Sequence, residues 1–157
     1  MTGLELLRAI ASGEAPGAPI AELMGFEPVE AEDGRVVFEA TPTADLLGGQ
    51  GPPTAASRPT PRLLRVHGGF AATLLDSAMG CAVHSTLPEG IGYTTLELKV
   101  NYTRSITEDA GRVLCEGRIV HRGGRVATAD GRIIAADSGK LLAHGTTTCL
   151  ILDGQPG

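Results

Sequence analysis

At 157 residues, with 42% hydrophobic and 20% charged side chains, the chain fits one packed domain, is short for two, and is too apolar for a disordered segment. A net charge of −5 argues against nucleic acid as the main partner, because phosphate binding needs a basic excess. Cys81, Cys115 and Cys149 lie far apart with no CxxC pair, which reads as reduced thiols and speaks against a disulfide framework or a zinc site.

The core must be built from small side chains. Aromatics make up 3% of the chain and there is no Trp, while 22 residues are glycine, about twice the usual share. The opening segment carries Glu5 and Glu14 and no long apolar stretch, so no signal peptide is expected. No apolar run approaches the roughly 18 residues of a membrane span. A cytoplasmic protein is the expectation.

Leu4, Leu7 and Ile10 recur at helical spacing, and Ser12 to Gly17 breaks that helix. Residues 1–18 therefore read as an N-terminal helical extension of a domain spanning 19–152. Pro19 opens a second short helix reaching Met24. Strands follow at about 26–32 and 35–41, joined at the hairpin signal Asp33-Gly34. Between 48 and 65, prolines and glycines forbid regular structure, and Arg58, Arg62 and Arg65 cluster there.

The longest helix is expected over 68–85. Phe70, Ala71, Leu74, Leu75, Ala78, Met79, Ala82 and Val83 form a broad apolar face, with Gly69, Thr73, Asp76, Ser77, Gly80 and His84 on the other side. Four strands complete the chain, at about 93–103, 111–121, 125–136 and 141–151. In the first, Leu96, Leu98, Val100 and Tyr102 alternate with Thr95, Glu97, Lys99 and Asn101. One face of the third carries Ala127, Ala129, Gly131 and Ile133, and one face of the fourth Ala143, Gly145, Thr147 and Cys149. Faces that small suit a helix pressed against them. The order predicts an α+β fold, a six-stranded antiparallel sheet around one long helix. One helix cannot cover both sheet faces, and the edges need a partner, so a homodimer is expected.

Chemistry concentrates at the start of the long helix. His67-Gly68-Gly69 leaves backbone N–H groups exposed where the helix dipole is positive, a place to polarise a carbonyl oxygen. The plainer account of the glycines is a tight strand-to-helix turn. Asp76 is a poor mid-helix residue, and it borders the apolar face. Its plainer account is a surface residue paired with an arginine or Ser77. Asp76 follows Gly69 by seven residues, so it rises about 10 Å above it at 1.5 Å per residue. One substrate carbonyl needs contacts near 3 Å from both groups. Two antiparallel helices from two subunits would bring the N-terminus of one to the aspartate of the other, a shared site at a dimer interface.

His67-Gly68-Gly69, then Leu74-Leu75-Asp76-Ser77-Ala78, then Tyr93-Thr94-Thr95-Leu96-Glu97-Leu98-Lys99-Val100-Asn101-Tyr102, resembles the hot-dog-fold acyl-CoA thioesterases of the PaaI type. Gly117 to His121, Arg125 to Gly131 and Leu142 to Cys149 fit as well, and the resemblance covers roughly residues 20–151. It implies the hot-dog fold, with dimers usually paired into tetramers, and hydrolysis of an acyl-CoA thioester without metal or redox cofactor. It also implies Asp76 as nucleophile or general base, the Gly68 N–H as donor to the thioester oxygen, and a hydroxyl of Thr94 or Thr95 that places the carboxylate or water. His67 and Gly69 are candidates for substrate binding, with His67 holding the loop rather than acting in catalysis. Arg122 and Arg125, or Arg58, Arg62 and Arg65, are candidates for the CoA phosphates. Many relatives carry Asn or Gln six residues before the histidine. Here that residue is Pro61, with neither a side-chain donor nor an N–H, and Gln50 and Arg62 are the candidates to stand in. A non-catalytic acyl-CoA binding module on the same fold is the alternative.

Overall fold

The computed structural model describes residues 1–48 and 65–154. The first helix, α1 (Gly3–Ala11), starts in a capping box. Glu5 N donates to the Thr2 hydroxyl at 3.2 Å and Thr2 N donates to the Glu5 carboxylate at 2.7 Å. Next come α2 (Pro19–Met24), β1 (Phe26–Glu32) and β2 (Arg35–Ala40), and a short 3-10 turn at Ala44–Leu46 that the sequence pattern does not signal. The long helix α3 (Gly68–His84) precedes β3 (Gly92–Tyr102), β4 (Val113–Arg122), β5 (Val126–Ala135) and β6 (Leu141–Leu152).

The six strands form one antiparallel sheet in the order β1-β2-β4-β5-β6-β3. The expected α+β hot-dog architecture, a sheet wrapped around one long helix, is the architecture observed. Edge strands are β1 and β3. The helix α3 buries Phe70, Leu74, Leu75, Met79 and Val83 against Val36, Phe38, Val113, Cys115 and Ile133 of the inner face. Burial of this apolar surface is the main stabilising term.

A single cross-strand row explains how the helix lies so close. Val36, Gly117, Gly131, Gly145 and Val100 are register partners across β2, β4, β5, β6 and β3. The three central members are glycines. A methyl group at Gly117 would overlap the Ala78 carbonyl and lie 2.6 Å from Met79 N, so the β4 backbone touches the α3 backbone directly. One at Gly145 would lie 2.5 Å from Lys99 O, and one at Gly131 2.8 Å from the Met79 Cγ. The small faces read on β5 and β6 are the buried ones: Ala127, Ala129, Gly131, Ile133, and Ala143, Gly145, Thr147, Cys149.

Two details of the sequence reading change. Gly80 does not sit on an open side of α3. It is buried beneath Tyr93 of β3, whose hydroxyl would lie 2.5 Å from a methyl at this position. The alternation in β3 also breaks. Thr95 pairs with Cys149 while Glu97 pairs with Thr148, so Leu96 is an extra residue, a β-bulge. Leu96 is consequently 56% exposed, not part of the inner face.

Candidate active site

That bulge builds half of the site. Without it, Thr95 would face away from Leu98 and Val100, because side chains alternate along a strand. With one residue extra, Thr95 turns to the helix side together with them. Its hydroxyl donates to Asp76 Oδ1 at 2.9 Å. The buried Thr147 hydroxyl donates to Glu97 O at 2.8 Å, which satisfies a carbonyl at the irregular position and holds the bulge. Thr94 lies on the other face, exposed and in register with Leu150. Of the two threonines, the structure brings only Thr95 to Asp76.

Asp76 is half-buried on α3. It has no ion-pair partner among the described residues, so the reading of Asp76 as one half of a surface ion pair finds no support there. Its second oxygen, Oδ2, accepts no hydrogen bond from a described residue, which leaves it available to a substrate or water. Cys81 sits one turn further on. Burial, with the Asp76 charge nearby, pushes its thiol up to about 12, which disfavours the thiolate.

The other half of the site is the start of α3. The incoming chain is fixed on two sides: Val66 N donates to Ile106 O at 2.8 Å and His67 N to Leu46 O at 2.8 Å. His67 is the N-cap residue, and its ring Nδ1 accepts from Gly69 N at 2.8 Å. Phe70 N donates to His67 O at 3.0 Å. Among the described residues the Gly68 N–H has no acceptor, so it is the free donor at the positive end of the helix. His67 thus has the structural role of a cap, and Gly69 is committed to it.

A groove of about 330 Å³ opens beside Gly68, lined by Arg65, His67, Tyr102, Arg104, Ile106 and Leu142 among others. Asp76 does not line it. Gly68 and Asp76 lie eight residues apart on one straight element, about 12 Å at 1.5 Å per residue, and so remain separate within one chain.

Arg122 and Arg125 are exposed at the β4–β5 hairpin, away from this groove. Arg122, Ala127, Cys149 and Thr95 form one cross-strand row, so Arg122 lies toward the Asp76 end of the sheet. Arg65 is brought to the Gly68 end. Arg58, Arg62, Gln50 and Pro61 lie outside the described residues. No three histidine, cysteine or acidic side chains, His84, His121 and His144 included, share a metal-sized site among the described residues. Tyr102 and Arg104 are site residues that the sequence reading did not single out. Tyr102 fits the strand alternation and Arg104 lies just past that strand, and the groove exists only once β3 lies beside the start of α3.

The thioesterase superfamily model matches residues 65–142, the segment that holds His67, Gly68, Asp76, Thr95 and Tyr102. A protein of Halobacterium salinarum, named provisionally as an esterase, is 39% identical over 67 residues; the match spans 41% of this chain and 42% of that protein. A conserved protein of Pseudomonas aeruginosa is similar in structure, with a TM-score of 0.72 and 30% identity over 87% of this chain and 95% of that one. A mutant of the phenylacetic acid degradation protein PaaI of Thermus thermophilus aligns with a TM-score of 0.68 and 26% identity, over 85% and 98% of the two chains. The chain belongs to the thioesterase superfamily, and its fold is the hot-dog fold of the PaaI proteins to which it is similar.

Proposed function

We propose that this protein hydrolyses acyl-CoA thioesters to the free acid and CoA, with a site shared between two subunits. The observation that carries the reading is the pairing of two prepared groups: a mid-helix carboxylate held by a threonine hydroxyl, and an uncommitted N–H at the start of the same helix. They are too far apart to act on one carbonyl within one chain. In an antiparallel pair of α3 helices, Gly68 of one subunit faces Asp76 of the other.

The Gly68 N–H donates to the thioester oxygen and stabilises the negative charge that grows there. Asp76 then acts in one of two ways. As a nucleophile, it attacks the carbonyl carbon, the C–S bond breaks, CoA thiolate leaves, and water hydrolyses the anhydride formed. As a general base, it takes a proton from water, the oxygen of that water attacks, and the same C–S bond breaks. Thr95 keeps the carboxylate aimed in either route. Neither route needs a metal or redox cofactor. Arg122, Arg125 and Arg65 would meet the CoA phosphates. Dimers paired into tetramers in the cytoplasm complete the proposal.

Thiol release from a panel of short, medium, long-chain and aryl acyl-CoAs tests this reading. Asp76→Asn should lower kcat by about a thousandfold or more, the scale expected when a nucleophile or base is removed, while folding and acyl-CoA binding persist. Turnover retained in that variant removes Asp76 from the mechanism. Binding without release by the wild type would instead assign an acyl-CoA binding module.

A further inference from the structure

We propose that Tyr102 is a positioning residue, which with His67 clamps the Gly68–Gly69 peptide group at both ends and thereby aims the Gly68 N–H. This rests on the reading that the Gly68 N–H binds the thioester oxygen. The Tyr102 hydroxyl, at the end of β3, donates to Gly68 O at 2.6 Å. Gly69 N donates to His67 Nδ1 at 2.8 Å. That carbonyl and that N–H belong to one planar peptide group, so the plane is gripped on opposite sides.

The need for a clamp follows from the sequence. Two adjacent glycines have the widest backbone freedom of any pair, and the first turn of a helix supplies no internal partner for its N–H groups. Left alone, the Gly68–Gly69 peptide could swing about the Gly68 Cα, and the strain of that movement would reach the N–H on the other side of the same Cα. The preceding peptide, which carries the Gly68 N–H, is already tied at its carbonyl, where His67 O accepts from Phe70 N at 3.0 Å. With Tyr102 in place the peptide groups on both sides of Gly68 are fixed. One N–H is left over, with its direction set.

Tyr102 has the setting this role needs. It is 55% exposed and stands in the groove wall next to His67 and Gly68, so its ring is not required by the core. A methyl at Gly68 would lie 3.2 Å from the Tyr102 hydroxyl, so the residue under the clamp is one without a side chain. The same strand holds both halves of the chemistry: Thr95 grips Asp76, and Tyr102 grips Gly68.

Removing an oxyanion donor outright costs about 10²–10³ in kcat, so loosening one costs a part of that. Tyr102→Phe, which deletes only the hydroxyl, should lower kcat about tenfold with KM within about twofold. It should also speed exchange of the Gly69 amide hydrogen about tenfold by NMR, with the thermal midpoint little changed. His67→Ala should give a similar loss. Because both act on one peptide group, the double variant should lose less than the product of the two. His67→Asn, which restores an N-cap acceptor, should recover most of the activity.

An unchanged kcat in Tyr102→Phe overturns the proposal, and so does an unchanged Gly69 exchange rate. Absence of thiol release from the wild type would overturn the thioesterase reading and the catalytic part of this one, while the exchange measurement would decide the clamp by itself.

Discussion

The helix α3 meets the sheet in two contrasting ways. Toward β4 the contact is backbone on backbone at Gly117, and toward β5 and β6 the Met79 and Leu75 side chains of α3 rest on Gly131 and Gly145, which have no side chain of their own. Toward β3 the contact is made by side chains with hydroxyl tips: Thr95 on Asp76, Tyr93 over Gly80, Tyr102 on Gly68. The first contact has no slack, since a packed interior transmits a displacement instead of absorbing it. The second consists of directional bonds that can be removed one at a time. The glycine row therefore fixes where the helix lies, and β3 fixes what its polar groups point at.

Substitution in the two regions should separate these roles, and Gly117→Ala should have the largest effect. The added methyl would run into the Ala78 carbonyl and the Met79 amide, both backbone, so no rotamer change relieves it. Overpacking of this kind costs about 1–3 kcal/mol where side chains can shift, and the rigid partner here should push it to that limit or past it. The expected outcome is a large drop in the thermal midpoint or loss of soluble protein. A variant as stable as the wild type would show that the helix can lift off β4, and the contrast between the regions would fail.

On the β3 side, Thr95→Val should leave stability nearly intact and act on turnover. The two side chains have similar shape, and valine suits a strand. What is lost is one hydrogen bond to a charged carboxylate, worth about 1.5–3 kcal/mol. The expected fall in kcat is about 10- to 100-fold, with Thr95→Ser close to wild type. Thr94→Val, on the exposed face, should leave kcat within about twofold if the bulge places the threonines as described. Steady-state kinetics on the three variants checks this, and equal losses at both threonines would contradict the assignment of Thr95.

The contrast also marks what could be read from the sequence. The glycine-row region was legible because its rule is simple: small residues repeat at period two on β5 and β6, and that spacing survives folding. Gly68 and Asp76 were legible because each breaks a local preference, two glycines at a helix start and an aspartate within a helix. The β3 region was not. A period-two pattern carries no sign of an inserted residue, yet the bulge at Leu96 reverses which face Thr95 occupies. Tyr102 counted as one more apolar strand residue, although its hydroxyl is the part that matters. The groove with Arg65 and Arg104 joins chain segments on either side of α3 and β3, and nothing local announces it.

The C-terminal end of α3 gives the smallest expected effect and extends the comparison beyond the active site. His84 stacks against Tyr93 with ring centres 5.7 Å apart, and α1 closes over it at Gly3, whose N–H donates to Leu87 O at 3.1 Å. Burial lowers the His84 pKa below its ordinary 6.5. Folding therefore favours the neutral ring, and the unfolded chain binds more protons in the window just below that value. Stability should rise with pH up to about 6.5 and level off above it, and should fall on acidification from about 6.5 toward the lower folded-state value. Thermal midpoints measured from pH 5 to 8 should show this slope, and His84→Gln should flatten it. An unchanged slope in that variant would place the proton uptake elsewhere. In that case the contact among His84, Tyr93 and α1 would join the glycine row as packing alone, leaving Thr95 and Tyr102 as the β3 contacts whose polar groups matter.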